Sequence, residues 1–396
     1  MTNHQDFPVP GSPLRAHIGL NAHLLSLGQN YRNAGISWYI YNLVLNLGQR
    51  TATDSRFQFS VFLHDRRFQA EAELSNRALS LHHSRLPTNR PLLRILWEQL
   101  FQPVMLRRVG LDLYHALAFV APIAISCPFV ITVYDLSSNR FPEAFRPLHR
   151  FYLRTFTAHS AKRAKAIITI SESTRQDVIR FLDIPAEKVH TIYCGVDPSF
   201  QVYPQAEVEA FKARHRLPEK FILFLGTLEP RKNISGLIKA YAAWCQADLK
   251  APKLIIGGGK GWYYQHLFTL VEQLNLTDRV IFPGYLAQEE LPLWYNAATM
   301  FVYPSHFEGF GLPVLEAMAC GTPVITSTAS SLPEVAGQAG VLIEPTDVEG
   351  LSAAMAGLFN DTARRQRLAQ QGLTQSRTFN WRKTAAETMQ VYEQVL

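Results

Sequence analysis

Two glutamates, Glu308 and Glu316, bracket the segment Glu308-Gly309-Phe310-Gly311-Leu312-Pro313-Val314-Leu315-Glu316. Apolar runs lie on both sides, Met300–Tyr303 ahead and Pro323–Ile325 behind, and each reads as a buried strand of a parallel sheet. Pro313 suits the first turn of a helix from Leu312 to about Ala319, and Gly321 stops it. A strand, a glycine loop and a helix start together make an anion site, because free backbone N–H groups and the helix dipole both favour negative charge. Gly309 and Gly311 let a phosphate come close to the backbone. The two carboxylates repel phosphate but accept well from hydroxyl groups. The pattern predicts an anionic ligand flanked by sugars. The plainer alternative is a solvated helix glutamate and a loop charge. It is the weaker one, since glycine spacing, Pro313 and the flanking strands agree.

A second constellation follows the predicted strand Phe221–Leu225. Arg231 and Lys232 stand after the loop Gly226–Pro230, where a helix is about to begin. Cations are disfavoured at helix N-termini, so a bound anion would account for them. A diphosphate fits, with Arg as a fork and Lys as a point charge. Asn233 is expected to cap the next helix. Gly257-Gly258-Gly259 ends another strand, as a tight turn or a phosphate-facing one. In the first half, Asp135 follows the strand Phe129–Tyr134 and His115 ends a strand in DLYHAL. A core histidine is the alternative for His115. Ser171 is an N-cap by its spacing.

The elements that must hold these residues alternate. In the first half, strands are expected at Ala16–Leu20, Phe57–Leu63, Leu79–Leu86, Leu111–Leu117, Phe129–Tyr134, Ala166–Ser171 and Val189–Val196. Helices are expected at Trp38–Gly48, Leu92–Arg108 and Phe145–Ala164, after a loop at Asn30–Ser37. Residues 197–219 are polar with three prolines and read as a linker. The alternation then restarts at Phe221–Leu225, with one long helical stretch from Glu349 to about Arg377 and a last helix capped by Asn380. The class is α/β, with parallel sheets covered on both faces. Ligands of such sheets bind at the C-terminal strand ends, so two facing sheets put the site in the cleft between them.

A length of 396 residues with 47% hydrophobic and 18% charged residues fits a globular protein of two domains. No apolar signal-peptide core and no run long enough to span a membrane is visible. Four scattered cysteines, Cys127, Cys194, Cys245 and Cys320, read as reduced thiols, so a cytoplasmic location is expected. Residues 1–200 carry 22 basic and 14 acidic side chains (+8), and residues 201–396 carry 17 and 18 (−1). The basic half suits an anionic substrate or an anionic membrane surface, and no nucleic-acid motif accompanies it. Arg146, Arg150 and Arg154 recur at helical spacing beside aromatic residues, the pattern of a helix resting on an anionic bilayer.

The Glu308–Glu316 segment resembles the E-x7-E motif of the retaining glycosyltransferases of family 4, which have the two-domain GT-B fold. The resemblance extends to GTLEPRKN (Gly226–Asn233), the glycine-rich Ile255–Gly259, GTPVITS and the phrase Phe379–Trp381. It covers nearly the whole chain. It implies Rossmann-like domains over 1–197 (acceptor) and 198–378 (donor), with 379–396 crossing back to the first. It implies that Glu316 holds ribose hydroxyls, Glu308 holds sugar hydroxyls, and Arg231 with Lys232 neutralises the phosphates. Gly226, Thr227, Gly257, Tyr285, Gly309, Phe310, Gly311 and Leu312 would complete the donor site. Asp135 would face the reaction, and Gly35 and His115 the acceptor. Three positions depart from the family pattern: Thr227 replaces an arginine, Tyr134 a histidine, and Ala34-Gly35 a double glycine.

The activity implied is transfer of a hexose, mannose favoured, from a nucleotide diphosphate sugar to a glycan or lipid-linked acceptor. GDP-mannose is preferred to UDP-glucose, with a front-face retaining mechanism, no cofactor and no metal. A sugar-nucleotide epimerase on the same fold and a non-catalytic two-lobed binding protein are the alternatives.

Overall fold

The structure, a computed structural model, describes residues 15–26, 34–51, 54–65, 67–68, 79–84, 88, 91–142, 147–261 and 263–396. Two parallel sheets organise them. The first holds β1 (Ala16–Asn21), β2 (Phe57–Leu63), β3 (Leu79–His83), β4 (Leu113–Ala116), β5 (Phe129–Val133), β6 (Ala166–Thr169) and β7 (Val189–Thr191), in the order β3-β2-β1-β4-β5-β6-β7. The second holds β8 (Phe221–Leu225), β9 (Lys253–Gly257), β10 (Val280–Gly284), β11 (Met300–Tyr303), β12 (Val324–Ser327) and β13 (Gly340–Ile343), in the order β10-β9-β8-β11-β12-β13. Every strand pair is parallel. The central strands β4, β5, β8, β11 and β12 are buried along their whole length. That is why they read as mostly apolar runs rather than alternating ones.

Both sheets step outward from their first strand and then reverse, so each has a switch point: β1 against β4, and β8 against β11. Loops leaving a switch point diverge and open a crevice at the C-terminal strand ends. The Gly226–Lys232 loop leaves β8 and the Glu308 loop leaves β11. The two are therefore brought side by side across more than 70 residues of sequence.

Several boundaries differ from the sequence expectation. The polar stretch 197–219 contains a packed helix, Gln205–His215, anchored by buried Val208 and Phe211. The long C-terminal helix breaks at Asp361, whose side chain caps Thr362–Ser376. The loop expected at Asn30–Ser37 is already helical from Ala34, with residues 30–33 outside the described residues. Asn380 caps the last helix, Trp381–Val395, as expected, accepting from the Lys383 N–H. That helix lies on the first sheet: Thr384 Oγ1 donates to the Tyr193 carbonyl at 2.7 Å, and Trp381 meets Tyr39 edge to face. Of the expected arginine stripe, Arg154 is exposed on the helix Pro147–Arg163. Arg150 folds back to donate to the Pro142 carbonyl at 3.1 Å, and Arg146 lies outside the described residues.

Candidate active site

The cleft between the sheets encloses about 980 Å³, and both halves line it. From the second half come Gly226, Thr227, Arg231, Lys232, Gly257, Tyr285, Glu308, Gly309, Phe310, Gly311, Leu312 and Glu316; from the first come Gly35 and Asp135. Gly258 sits at φ +147°, and a Cβ there would lie 1.9 Å from the Gly226 carbonyl oxygen. The glycine turns after β8 and β9 thus lie flush, and no side chain intrudes between them.

An alternating cluster of charge fills the wall beside them. Lys232 Nζ lies 2.6 Å from Glu308 Oε1 and donates to the Tyr303 hydroxyl at 2.5 Å. Arg231 Nη1 reaches Glu308 Oε2 at 3.0 Å, and its Nη2 reaches Glu229 Oε1 at 2.7 Å. Glu229, Lys232 and Glu308 are all buried. Burial alone would raise the Glu308 pKa, but Arg231 and Lys232 hold it at about 2, so it stays charged. Burial pushes the Lys232 pKa below its ordinary value, opposed by Glu308.

Arg231 and Lys232 sit in a 3-10 turn, Pro230–Lys232, rather than in the helix that follows. Asn233 adopts a left-handed conformation (φ 55°) and makes no cap. Its side-chain amide instead donates to the carbonyls of Pro304 and Pro345, tying the turn to the loops after β11 and β13.

The helix Leu312–Ala319 starts at Gly311, at φ 115°, with no side-chain cap. Its first turn is left to the cleft that Gly311, Leu312 and Pro313 line. The loop before it is pinned from behind. Ser331 Oγ donates to the carbonyls of Glu308 and Phe310, and Ser330 Oγ accepts from the Glu308 N–H at 2.8 Å. The Phe310 ring turns to Tyr193 and Phe379, so its side chain belongs to the seam between the halves and its backbone to the cleft.

Glu316 stands one turn along. Its Oε2 accepts from the Tyr295 hydroxyl at 2.8 Å, and burial pushes its pKa up to about 7. If the ionised form takes the ribose diol, nucleotide affinity should fall as pH drops through 7. The expected loss is about tenfold per pH unit below that point. Titration calorimetry with a nucleoside, which lacks a titrating phosphate, would check it. Glu316→Gln should bind weakly and flatten the profile.

His115 is not a cleft residue. It is fully buried, with Nδ1 2.6 Å from the Tyr392 hydroxyl and Nε2 2.8 Å from the Thr132 hydroxyl. Burial lowers its pKa to about 3, so it stays neutral and joins the sheet to the last helix. This corrects the acceptor-side expectation. Asp135 does face the cleft, with Oδ1 held by the Ser137 N–H and hydroxyl. Gly35 is exposed in the first helical turn, and among the described residues nothing lies within 4 Å of where a Cβ would go. Among the described residues, no cluster of three or more His, Cys, Asp or Glu side chains is arranged to hold a metal ion.

Three features had no sequence signal. Glu229 and Tyr303 complete the charge cluster. Glu334, from the second half, accepts from the Glu172 and Ser173 N–H groups at 2.7 and 2.8 Å, so it seats on the N-terminus of the Glu172–Leu182 helix in the first half. A carboxylate there gains from both hydrogen bonds and the dipole. Glu334→Gln should loosen the closed cleft and lower kcat/KM by about tenfold. Steady-state kinetics would measure the loss, and small-angle scattering a more extended particle.

The glycosyltransferase family 4 model matches residues 33–200, and the model for glycosyl transferases group 1 matches residues 205–375. The O-antigen chain mannosyltransferase B of Escherichia coli is 35% identical over 283 residues, 71% of this chain and 74% of that protein. The chain belongs to glycosyltransferase family 4. The serotype-specific mannosyltransferase WbdA of Escherichia coli is 37% identical over 57% of this chain, which spans only 28% of that longer protein.

Among solved structures, Anabaena Alr3699/HepE in complex with UDP and glucose superposes with a TM-score of 0.72 at 19% identity, covering 96% of this chain and all of that one. Sucrose-phosphate synthase from Thermosynechococcus elongatus superposes at 0.73 with 22% identity, covering 96% and 99%. At those identities the likeness speaks for the GT-B fold alone. The enzyme is a hexosyltransferase of that fold.

Proposed function

We propose that the enzyme moves a mannosyl residue from GDP-mannose to a growing glycan, with retention at the anomeric carbon, in assembly of a cell-surface polysaccharide. The observation that carries this reading is the Arg231–Lys232 pair, half-buried and buried in turn, set in the same cleft as the uncapped helix start at Gly311. Such a site gains as charge develops on a departing diphosphate. The relatives named above support mannose as the sugar and O-antigen chains as the acceptor type. Residues 198–378 would hold the donor and 1–197 the acceptor, with 379–396 strapping back across the first sheet. The acceptor chain would be lipid-linked, which brings the enzyme to the cytoplasmic face of a membrane.

In this reading the bond from the anomeric carbon to the leaving phosphate oxygen breaks as the acceptor oxygen bonds on the same face. The acceptor proton passes to that phosphate oxygen. Arg231 and Lys232 stabilise the leaving group, Glu316 the ribose, and Glu308 sits where sugar hydroxyls would lie. Glu308 also keeps both cations in place. Asp135, across the cleft, would orient the acceptor side.

The test is transfer of labelled hexose from GDP-mannose, UDP-glucose and other nucleotide sugars to a mannose-terminated oligosaccharide. GDP-mannose should give product at least about tenfold faster than the others. Faster transfer from UDP-glucose would overturn the donor assignment and leave the family untouched.

A further inference from the structure

The segment 91–109 turns several apolar side chains outward and two polar ones inward. It runs as a helix, Pro91–Leu96, through a π-helical turn, Trp97–Phe101, into a second helix, Gln102–Val109. Glu98 and Gln102 point inward and are buried, while Leu96, Leu100, Phe101 and Val104 are exposed, Leu100 by 61%. The π turn, wider than an α turn, changes the register along the helix. The neighbouring helix Pro147–Arg163 also turns apolar residues outward, with Leu148 86% and Phe151 65% exposed.

The two helices form one surface. Leu106 of the first and Ala161 of the second share a core cluster. The exposed Ile123 bridges them, its N–H donating to Gln99 Oε1 at 3.0 Å and its carbonyl accepting from Arg163 Nη1 at 2.6 Å. Each helix ends in a basic turn, Arg107 with Arg108 and Lys162 with Arg163. The helical segments 91–109 and 147–163 together hold seven basic side chains and one acidic, a net of +6, and that acid is the inward Glu98.

We propose that this face docks on an anionic lipid bilayer. Its apolar side chains would enter the boundary between headgroups and acyl chains, and its basic turns would contact lipid phosphates. Charge decides for this occupant. A second copy of the same surface would set like charges against each other. No described helix is long and apolar enough to cross a membrane. The inference extends the lipid-linked acceptor reading but stands on the surface alone. It places the docking face on 91–109 and the outward residues of 147–163, not on the arginine stripe read from the sequence.

Co-sedimentation of the full chain with phosphatidylcholine vesicles, with and without phosphatidylglycerol, tests it. The protein should pellet only with anionic vesicles and release as salt rises, since the attraction is screened over about 10 Å at 0.1 M. Leu100→Ser combined with Phe151→Ser should weaken binding at least about tenfold. Arg107→Glu with Arg108→Glu, which keeps every apolar contact, should do the same. All four residues lie outside the cleft, so transfer to a soluble oligosaccharide should be unchanged and serves as the control for folding. Equal pelleting with both vesicle types, none with either, or wild-type binding by both double variants would overturn the proposal. So would a stable dimer in solution that buries this face. Loss of soluble transfer in the wild type would instead count against the functional reading.

Discussion

Lys232→Ala lowers turnover by about 100-fold or more, and Arg231→Ala does the same, if these cations neutralise charge on the leaving diphosphate. Lys232 is buried against Glu308 and Tyr303, so its charge acts in a low-dielectric wall where each interaction is stronger than in water. The effect belongs in the turnover number more than in KM, because charge on the leaving oxygen grows only as the bond breaks. Both residues also brace Glu308. Removing one leaves that carboxylate with a single cation and costs stability. Lys232→Met, which keeps the apolar stem, separates the two effects: its melting temperature should stay nearer wild type while its turnover falls as far as the alanine variant's. Normal turnover in both alanine variants would remove the pair from the chemistry.

Gly309→Ala should lower turnover by a similar amount for a different reason. A Cβ at Gly309 would lie 2.4 Å from the Tyr134 carbonyl oxygen and 3.3 Å from Asp135 Cβ. Tyr134 and Asp135 follow β5, in the other half of the molecule, so the clash falls on the closed arrangement and spares the core of either half. The halves must part or the Glu308 loop must shift. A displacement on the order of 1 Å at reacting groups costs about 100-fold. Circular dichroism should give a melting temperature close to wild type, while steady-state kinetics gives the loss. Near-normal turnover would mean that chemistry proceeds with the halves further apart than in this structure.

The central strands of both sheets were legible because parallel strands buried on two faces are mostly apolar along their length. Phe221–Leu225 and Met300–Tyr303 fall where their apolar runs place them. The motif positions were legible because glycines and prolines mark turns. What the sequence did not carry is which charges meet. Glu308 lies 77 residues from Arg231, and only the β8–β11 adjacency brings them within 3.0 Å. The Glu308 carboxylate therefore read as free for hydroxyls, whereas both its oxygens already accept from cations. His115 misled for a related reason. A strand end next to the switch point suggests a cleft, but Tyr392, 277 residues on, closes over it. The outward apolar side chains of 91–109 escaped because a π turn breaks the spacing from which helix faces are read.

The structure of the enzyme with a bound nucleoside diphosphate tests the central claim most directly. The account predicts a diphosphate within hydrogen-bond distance of Lys232 Nζ, Arg231 and the N–H groups of Gly311 and Leu312, with the ribose hydroxyls on Glu316. A nucleotide bound with its phosphates away from the Arg231–Lys232 turn, or with its ribose off Glu316, would contradict it.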